Sequence, residues 1–543
     1  MNKKTPACTL LLILLATSLL LGCSKASNPT APPPSPTGEA IETSQPEPAA
    51  TNAPETSPTL AAEEPGAALV LVADDISTLD PYRMIGLHPE GSVASHLWDT
   101  LTLLNDDLQI EPHLAESWRL VNNFTWEFTL RQGITFHNGE PLDTQAVRFS
   151  INRSQSLPGS LETFARDVGL REIEMVDPYI FRLVTEQPVS NLPYYLAFLE
   201  ILPPTYYSEI DSAQAAVAPV GSGPYQIEPW SPGESLILKA VSAYWKGAPI
   251  LDQITFQTVP AAKDRLAAAY DGAASLVTDL PATPTDQWSS AHSRLEAIAS
   301  TQRLFVGLHV QEDSPLADRR VRQALNYAIN VEQIVDDWHK GYGERYGSWV
   351  NPPGHNPELA PWPYDPALAR ALLTQAGYPE GFTVALHTPI GVYDQDTNIA
   401  QAIAGQLGEI GIAVTVQALD WETYVRELFS ATPPALFLLA LNSRGNDLQD
   451  AMNLSADFAF NPTGWYNQTF EDTLRQAAAT FNENARIQTL YRAQAIAYDE
   501  APWIWLWRSY DFYGVHQSLD WTPRRDGLVC LYKPAGTPGD STE

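Results

Sequence analysis

Apolar residues recur with two different periods in residues 67–543. Trp126–Leu130 alternates between apolar and polar positions, which is typical of a half-buried strand. Trp503–Trp507 alternates tryptophan with aliphatic residues and is predicted to be a strand in the core. Residues 319–338 instead carry apolar side chains near one face of a helix, at Val321, Leu325, Ala328, Ile329 and Ile334. Because stretches of both kinds intersperse along the chain, we expect an α/β fold.

Local signals indicate the ends of further helices. Asp365-Pro366 is a typical helix start and Gly377 a typical stop, so a helix is expected over Asp365–Ala376. Thr469–Ala501 has the pattern of a helical pair. The roughly 475 residues that follow position 66 are more than one hydrophobic core usually holds, so two or three lobes are expected.

The first 23 residues have the pattern of an export signal. Lys3 and Lys4 supply positive charge, and Leu10–Leu21 is an apolar run that is short for a permanent membrane span. The run ends in Leu20-Leu21-Gly22-Cys23, which resembles the bacterial lipobox, whose cysteine is acylated and becomes the first residue. Residues 1–23 are therefore predicted to be a lipoprotein signal peptide with lipidation at Cys23. The alternative is a chance cysteine at the end of an ordinary signal peptide.

Residues 24–66 differ sharply from the chain on either side. They are rich in Pro, Ser, Thr, Ala and Glu and carry almost no large apolar side chains. Such a segment buries too little apolar surface to offset its ordering entropy. We therefore predict a disordered tether that would hold the protein off a membrane.

Cysteine content and charge exclude several classes of protein. If Cys8 leaves with the signal and Cys23 takes the lipid, Cys530 alone remains of the 3 cysteines, so neither an intrachain disulfide nor a cysteine-rich metal site is expected. The formal net charge of −32 argues against a nucleic-acid partner, because phosphates demand Lys and Arg. A negative net charge is common in soluble exported proteins and does not indicate which ligand is bound.

An exported hydrolase is the main rival to a binding protein. The sequence has no Gly-x-Ser-x-Gly elbow, no His-Glu-x-x-His zinc pair and no phosphate-binding Gly-x-x-x-x-Gly-Lys loop. The 10 histidines are scattered, which disfavours a metal carrier that coordinates the metal directly. Carboxylates such as Asp74-Asp75 or Asp394 with Asp396 could form a glycosidase pair, but most such doublets are solvated turns. We predict no enzyme activity and no cofactor.

Several spaced motifs resemble those of one protein family. The stretch Phe128–Pro141, continued by Ala146–Ser150, resembles the signature of the family 5 solute-binding proteins of ABC importers, the peptide- and nickel-binding type. Further blocks follow the order of the family: Leu79–Pro81, Gly221–Tyr225, Tyr244–Gly247, Asp318–Ile329 and Tyr364–Pro379. The resemblance covers nearly all of residues 70–515, and several blocks in one order are far more specific than one alone.

The resemblance implies a two-lobed periplasmic-binding-protein-like fold, the three-domain variant of class II, with a cleft between the lobes. The first lobe would comprise residues 67–110, 206–308 and 506–543, an inserted small domain 111–205, and the second lobe 309–505. The chain would cross between the lobes near Val310 and near Trp507.

It also implies a function. The chain would be the substrate-binding lipoprotein of an ABC importer, closing by hinge motion on a small solute and delivering it to the permease. The solute is a peptide by family default, and an oligosaccharide is the alternative. We expect a monomer on the extracytoplasmic face of a membrane, attached through its lipid alone.

Four segments resemble the ligand-facing ones of the family, and pockets of this kind need aromatic walls with a few polar groups. The candidate ligand-binding residues are Tyr82, Arg83, Met84, Leu87 and His88 in the first segment, Tyr393 in the second, Trp421 in the third, and Asn442, Ser443, Arg444 and Asp447 in the fourth. Trp465 comes from another region that resembles a pocket wall. For both tryptophans the alternative is a place in the core.

The fourth segment departs from the pattern of the peptide-binding relatives. In the family pattern that this chain resembles, the peptide-binding relatives have a Gly-Trp pair in this segment, followed by an Asp that binds the ammonium group of the peptide. This chain has Arg444 near the position of that Asp. Arg cannot pair with an ammonium group, but it can bind a carboxylate, a phosphate or a sugar hydroxyl. Asp447 or Asp450 would substitute if the loop is shifted, and a bridge from Arg444 to either of them is the other alternative.

Overall fold

A computed structural model describes residues 66–84, 88–157, 164–282, 287–351, 354–443, 445, 447–456 and 461–534. The predicted signal peptide with Cys23, residues 24–65 of the predicted tether, Leu87 and Arg444 lie outside the described residues.

The described strands, in chain order, are β1 Ala67–Val72, β2 Thr102–Leu104, β3 Ile110–Pro112, β4 Ala115–Asn122, β5 Thr125–Leu130, β6 Leu170–Met175, β7 Ile180–Thr185, β8 Tyr225–Ile227, β9 Leu236–Ala240, β10 Gln253–Thr258, β11 Leu276–Val277, β12 Ser293–Leu308, β13 Glu344–Arg345, β14 Thr383–Pro389, β15 Ala413–Leu419, β16 Leu436–Leu441 and β17 Trp503–His516. The described helices are α1 Glu90–Leu97, α2 Thr144–Ser156, α3 Phe164–Asp167, α4 Leu192–Tyr195, α5 Pro204–Glu209, α6 Ser212–Ala215, α7 Ala262–Asp271, α8 Arg319–Tyr327, α9 Val331–His339, α10 Pro366–Gln375, α11 Asp396–Glu409, α12 Trp421–Leu428, α13 Asp447–Met452, α14 Gln468–Ala478 and α15 Glu483–Glu500.

An 11-stranded mixed sheet forms the frame of the molecule. Its order is β15-β14-β16-β12-β17-β11-β1-β10-β9-β8, and β13 pairs with β17 beside this path. The smaller sheets are the four-stranded β4-β5-β7-β6 and the hairpin β2-β3. This mixture of helices and sheets confirms the predicted α/β class.

The two longest strands join the two halves of the main sheet. β12 and β17 are antiparallel neighbours over almost their whole length, and β11 pairs with the end of β17 while β16 pairs with the end of β12. Their pairing is interrupted between the pair Ala299–Tyr510 and the pair Arg303–Arg508. Three residues of β12, 300–302, therefore oppose one residue of β17, which is a bulge of a kind that bends a strand pair. A second, smaller shift follows between Leu304 and Phe305.

Buried apolar side chains fall into three clusters. The first draws on residues between Ala68 and Leu276 together with Tyr513–Leu531. The other two draw on residues between Leu304 and Trp507. Each cluster is covered by helices, as a sheet with an apolar face requires. The exact domain boundaries drawn from the sequence stay a prediction.

The helices predicted from local signals are observed except at one place. Asp365 caps α10 by accepting a hydrogen bond from the backbone N–H of Leu368, and the pair α14–α15 occupies the predicted stretch. The single helix expected over residues 319–338 is wrong, because α8 and α9 are separate. Asn330 causes the break: its side chain accepts from the backbone N–H of Gln333 and starts a new helix. The apolar face predicted for this stretch is nevertheless buried.

Gly221 and Gly223 lie where the family motif passes the end of α1. A β-carbon on Gly221 would be 1.9 Å from the Leu97 carbonyl oxygen, and one on Gly223 would be 2.5 Å from that of His96. Only glycine fits so close to another backbone. The structure thus shows a close backbone crossing inside the first cluster at these two glycines.

Candidate functional site

Parallel strands on both sides of β12 and β17 end toward the same place. On one side β1 pairs in parallel with β10 and β11, so Val72, Thr258 and Val277 lie at one sheet edge. On the other side β14 pairs in parallel with β15 and β16, so their carboxyl ends also share an edge. Open α/β sheets bind ligands at such edges.

The strand register shows that these two edges approach the bulge from opposite directions. Val277 pairs with Gly514 of β17, next to the pairs that run up to Ala299. Leu441, the last residue of β16, pairs with Arg303. The bulge at residues 300–302 thus lies between the two carboxyl edges, and we take this junction as the candidate site.

Hydrogen bonds hold the fourth predicted segment at this junction. The Thr301 hydroxyl donates to the carbonyl oxygen of Ser443, and the Thr301 backbone N–H donates to the carbonyl oxygen of Arg525 at 2.8 Å. The side-chain Nε–H of Arg525 donates to the carbonyl oxygen of Ala299 at 3.2 Å. The loop after β16 and the tail after β17 therefore meet at the bulge. Asn442 is exposed there, while Ser443 is buried.

The first predicted segment is largely interior. Tyr82 is fully buried and donates from its hydroxyl to the carbonyl oxygen of Glu200 at 2.8 Å, and the Arg153 guanidinium lies over its ring. Met84 belongs to the first apolar cluster. The Nη2 of Arg83 lies 3.5 Å from the Ser212 hydroxyl. These positions are those of structural residues in this conformation.

His88, from the same segment, does reach the candidate site. Its Nε2 lies 3.0 Å from the Thr278 hydroxyl and 3.8 Å from Oδ2 of Asp279, directly after β11. Its Nδ1 lies 2.8 Å from the Ser92 hydroxyl. Burial lowers the pKa of His88, although Asp279 and Asp74 act in the opposite direction. A neutral imidazole held between two hydroxyl groups is the result.

Tyr393 and Trp421 follow the carboxyl ends of β14 and β15. Tyr393 packs partly buried against the second cluster, and burial raises the pKa of its phenol to about 12. Trp421 opens α12 and stacks on Tyr424 with ring centres 5.8 Å apart. Trp421 is half-buried, so both the ligand-facing position and the place in the core stay open for it.

The carboxylates of the fourth segment are already paired. Oδ2 of Asp447 lies 3.3 Å from Nη2 of Arg486, and the side chain is buried. Asp450 lies 3.0 Å from Nη1 of Arg303 and also accepts from the backbone N–H of Asn351 at 2.9 Å. Both carboxylates therefore have an arginine partner within the protein. Trp465 is buried against Phe470 in the third cluster.

The sequence analysis missed three acidic residues beside the bulge. Asp279 follows β11, Asp511 lies in β17, and Asp526 lies in the tail that contacts Thr301 through Arg525. Burial raises the pKa of Asp511 to about 7, and the charges of Asp279 and Asp526 add to the effect. The strand topology, which the sequence does not show, is what brings these distant residues together.

Three contacts connect the two sides away from the bulge. A β-carbon built on Gly445 would lie 2.6 Å from Cβ of Leu108 in the β2–β3 turn. The Ser190 backbone N–H donates to the carbonyl oxygen of Ala478 at 3.0 Å. The rings of Trp126 and Phe481 lie 6.1 Å apart. These contacts join the two sides outside the bulge.

A separate cavity of about 290 Å³ lies at the opposite sheet edge. Its lining includes His309, Leu316, Phe382, Val384 and Ala435, which are near the amino ends of β14 and β16. It is therefore distinct from the junction at the bulge. Among the residues that the structure describes, no group of three or more His, Cys, Asp or Glu side chains is placed to hold a metal ion.

Comparison with known proteins decides the family. Residues 109–472 match the family model described as bacterial extracellular solute-binding proteins, family 5 Middle. The chain belongs to family 5 of the bacterial extracellular solute-binding proteins. It therefore acts outside the cytoplasm as the solute-binding component of an ABC importer. In the described part of the chain, no helix combines the length and the apolar character that a membrane span requires.

The relatives in this family include characterised binding proteins. The chain is 29% identical to the glutathione-binding protein GsiB of Salmonella paratyphi A over 473 residues, which are 82% of this chain and 89% of the relative. It is also 29% identical to GsiB of Escherichia coli K12 over 463 residues, 80% of this chain and 88% of the relative.

Solved structures share the fold at lower identity. Periplasmic binding protein DppA of Helicobacter pylori, in complex with the peptide STSA, aligns with a TM-score of 0.72 and 23% identity, covering 86% of this chain and 96% of that one. HbpA2 of Haemophilus parasuis aligns with a TM-score of 0.76 and 21% identity, covering 86% and 99%. These structures confirm the predicted two-lobed fold.

Proposed function

We propose that this family 5 solute-binding protein captures a peptide or a peptide-like solute in the cleft beside the bulge. The observation that carries the proposal is the convergence of two carboxyl sheet edges on one bulge in the only long strand pair of the described residues. A strand pair with such irregularities can bend and let two lobes close over a small solute.

The peptide class is supported by the relatives. GsiB, which aligns over 82% of this chain, is named for binding glutathione, a small peptide-like thiol. DppA and the oligopeptide-binding protein AppA of Bacillus subtilis share the fold and were solved with peptides. The comparisons add no support to the oligosaccharide alternative.

The remaining parts of the proposal come from the sequence. Lipid at Cys23 and the tether 24–66 would keep the protein at the outer face of the membrane, where it meets its permease. The protein returns its solute unchanged and so has no catalytic residues, and it works as a monomer. Of the two roles that the sequence leaves open for Arg444, the ligand-facing one would suit the carboxylate of a peptide.

Isothermal calorimetry with the full-length protein in detergent tests this proposal. Glutathione, a set of di- and tripeptides, and cello-oligosaccharides are titrated in parallel, and the recovered solutes are analysed by mass spectrometry. Binding of one or more peptides with full recovery is the expected result. Binding of oligosaccharides alone would remove the peptide assignment, and a cleaved solute would show an enzyme.

A further inference from the structure

Three carboxylates beside the bulge differ in their partners. Asp526 is held by Arg524, with Nε and Nη2 at 3.0 and 2.8 Å from its two oxygens. Asp279 accepts from the Thr278 hydroxyl at 2.6 Å and from the Ala73 backbone N–H at 3.3 Å. The Asp511 carboxylate has no hydrogen bond or ion pair with any residue that the structure describes.

Asp511 is nevertheless enclosed. It is partly buried in β17, and a β-carbon on Gly527 would lie 3.5 Å from its Oδ2. An unpaired carboxylate in such a place costs free energy unless it is protonated or meets a cation.

Tyr513 is a second and independent unpaired group at the same place. Its side chain is 3% exposed and its ring packs edge-on against Trp521 at 5.1 Å. The charges of Asp511, Asp279 and Asp526 act on its hydroxyl and, together with burial, raise the pKa of Tyr513. No residue of the described chain forms a hydrogen bond with that hydroxyl. Solvent reaches the hydroxyl oxygen although the rest of the side chain is buried, so a ligand atom can meet it here.

The carboxylates that follow β16 offer no unpaired group to a cation. Asp447 is paired with Arg486 and Asp450 with Arg303. A metal ion is not indicated either, since the described residues form no group of three or more metal-ligating side chains. The cation that suits one free carboxylate and a nearby hydroxyl is an organic ammonium group, which donates three hydrogen bonds.

We infer that Asp511 and Tyr513, with Asp279 beside them, form a subsite on the first-lobe side of the cleft for the protonated amino group of the solute. This deepens the proposed function, on which it rests for the identity of the solute. The ammonium group would displace the proton that Asp511 carries in the empty cleft, because an adjacent positive charge favours the carboxylate. One proton is released and one ion pair forms.

The variant Asp511→Asn, made in the full-length protein, tests the subsite by calorimetry. The probes are glutathione and a panel of tripeptides, their N-acetylated forms, and the non-peptide amine spermidine. We expect wild-type protein to bind free-amine probes, and Asp511→Asn to weaken that binding by about 30-fold or more. Acetylated probes should bind wild type weakly, with little further loss in the variant.

The matched control is Asp520→Asn, which removes the same charge from a side chain that is 90% exposed on the same tail. Titrations at pH 6.5 in buffers of different ionisation enthalpy measure the released proton. Release by wild type and Asp520→Asn, with none by Asp511→Asn, is expected. Both variants lose one negative charge, so a change in net charge alone would affect their proton release equally and would not produce this difference.

The outcomes separate the inference from the proposed function. If peptides bind and Asp511→Asn retains their affinity, the subsite is overturned and the peptide function stands. If spermidine binds through Asp511 and no peptide binds, the subsite stands and the peptide function is overturned. If no amine binds wild type, both are overturned.

Discussion

Leu108 and Gly445 meet across the cleft, and each has a backbone φ in the left-handed region, at 59° and 87°. Leu108 belongs to the β2–β3 turn and Gly445 to the loop after β16. A β-carbon on Gly445 would lie 2.6 Å from Cβ of Leu108 and 3.0 Å from its Cδ1. Two turns from opposite sides therefore fit together only because one of them has no side chain.

Gly445→Ala should weaken solute binding by opposing closure. The added methyl group collides with Leu108 only when the lobes are closed, so it shifts the population toward the open form. Each 1.4 kcal/mol of collision energy weakens affinity about tenfold. Calorimetry measures the loss of affinity, and small-angle X-ray scattering with bound solute measures the shift toward the open form.

Gly377→Ala is the control for this prediction. Gly377 also has a positive φ, 94°, but a β-carbon there would meet no atom within 4 Å. Both variants carry the backbone strain of a left-handed alanine, about 1–2 kcal/mol. If Gly377→Ala weakens binding as much as Gly445→Ala does, strain and not closure would be responsible.

Asp450→Asn should strongly destabilise the protein. It leaves the fully buried Arg303 without its carboxylate partner at 3.0 Å, and breaking a buried pair in this way costs about 3–5 kcal/mol. Urea unfolding measures the change. Asp472→Asn, which removes the partner of the exposed Arg475, should leave the unfolding midpoint nearly unchanged. Similar effects of the two variants would contradict the structural role of the Arg303–Asp450 pair.

The fold followed from the sequence because its signals were redundant. The signature over Phe128–Pro141 and the ordered blocks after it led to the correct family and fold, and the helix start predicted at Asp365 is observed. The helix break at Asn330 was missed, because one capping side chain interrupts a continuous apolar face.

The candidate site was less predictable because its residues are joined by topology. Local motifs led to Tyr82 and Trp465, which resemble pocket residues but lie in the core. Asp279 and Asp511 are 232 positions apart and meet because β11 and β17 are neighbours in the sheet. No local pattern marks such a pair. His88 was identified from its segment and does contact Thr278 beside this pair.

Cys23→Ala should separate the protein from the membrane. The variant would either stay unprocessed or appear in the soluble fraction, because acylation at Cys23 is the proposed anchor. Cell fractionation with immunodetection and metabolic palmitate labelling report both effects. Cys530→Ala is the matched control and should remain anchored. A mature-size Cys23→Ala protein retained in the membrane would contradict the lipobox prediction.

His96 should make the protein less stable in acid. It is fully buried, its Nδ1 lies 2.7 Å from the carbonyl oxygen of Ser92, and its Nε2 accepts from the backbone N–H of Leu531 at 3.0 Å. Burial lowers its pKa to about 4. The unfolded chain then binds more protons between pH 6.5 and 4, so the free energy of unfolding falls as the pH drops through this window. Urea unfolding at several pH values should show a decline that His96→Gln reduces.

Asp511 should act on stability with the opposite sign in the ligand-free protein. Burial, with Asp279 and Asp526 nearby, raises its pKa to about 7, while Arg524 is engaged by Asp526 and Tyr513 remains neutral. The folded protein therefore binds more protons than the unfolded chain between pH 4 and 7. Because of this difference, Asp511 lowers the free energy of unfolding as the pH rises through that window. The lowered free energy of unfolding persists above pH 7. Asp511→Asn should be more stable than wild type at pH 8, and the difference should vanish near pH 4. Because His96 and the other titrating groups are common to both proteins, the difference between their urea unfolding curves isolates Asp511, and Asp520→Asn controls for net charge. An Asp511→Asn protein that is less stable than wild type at pH 8 would mean that the carboxylate is stabilised by the fold, and the case for a solute ammonium group as its partner would fail.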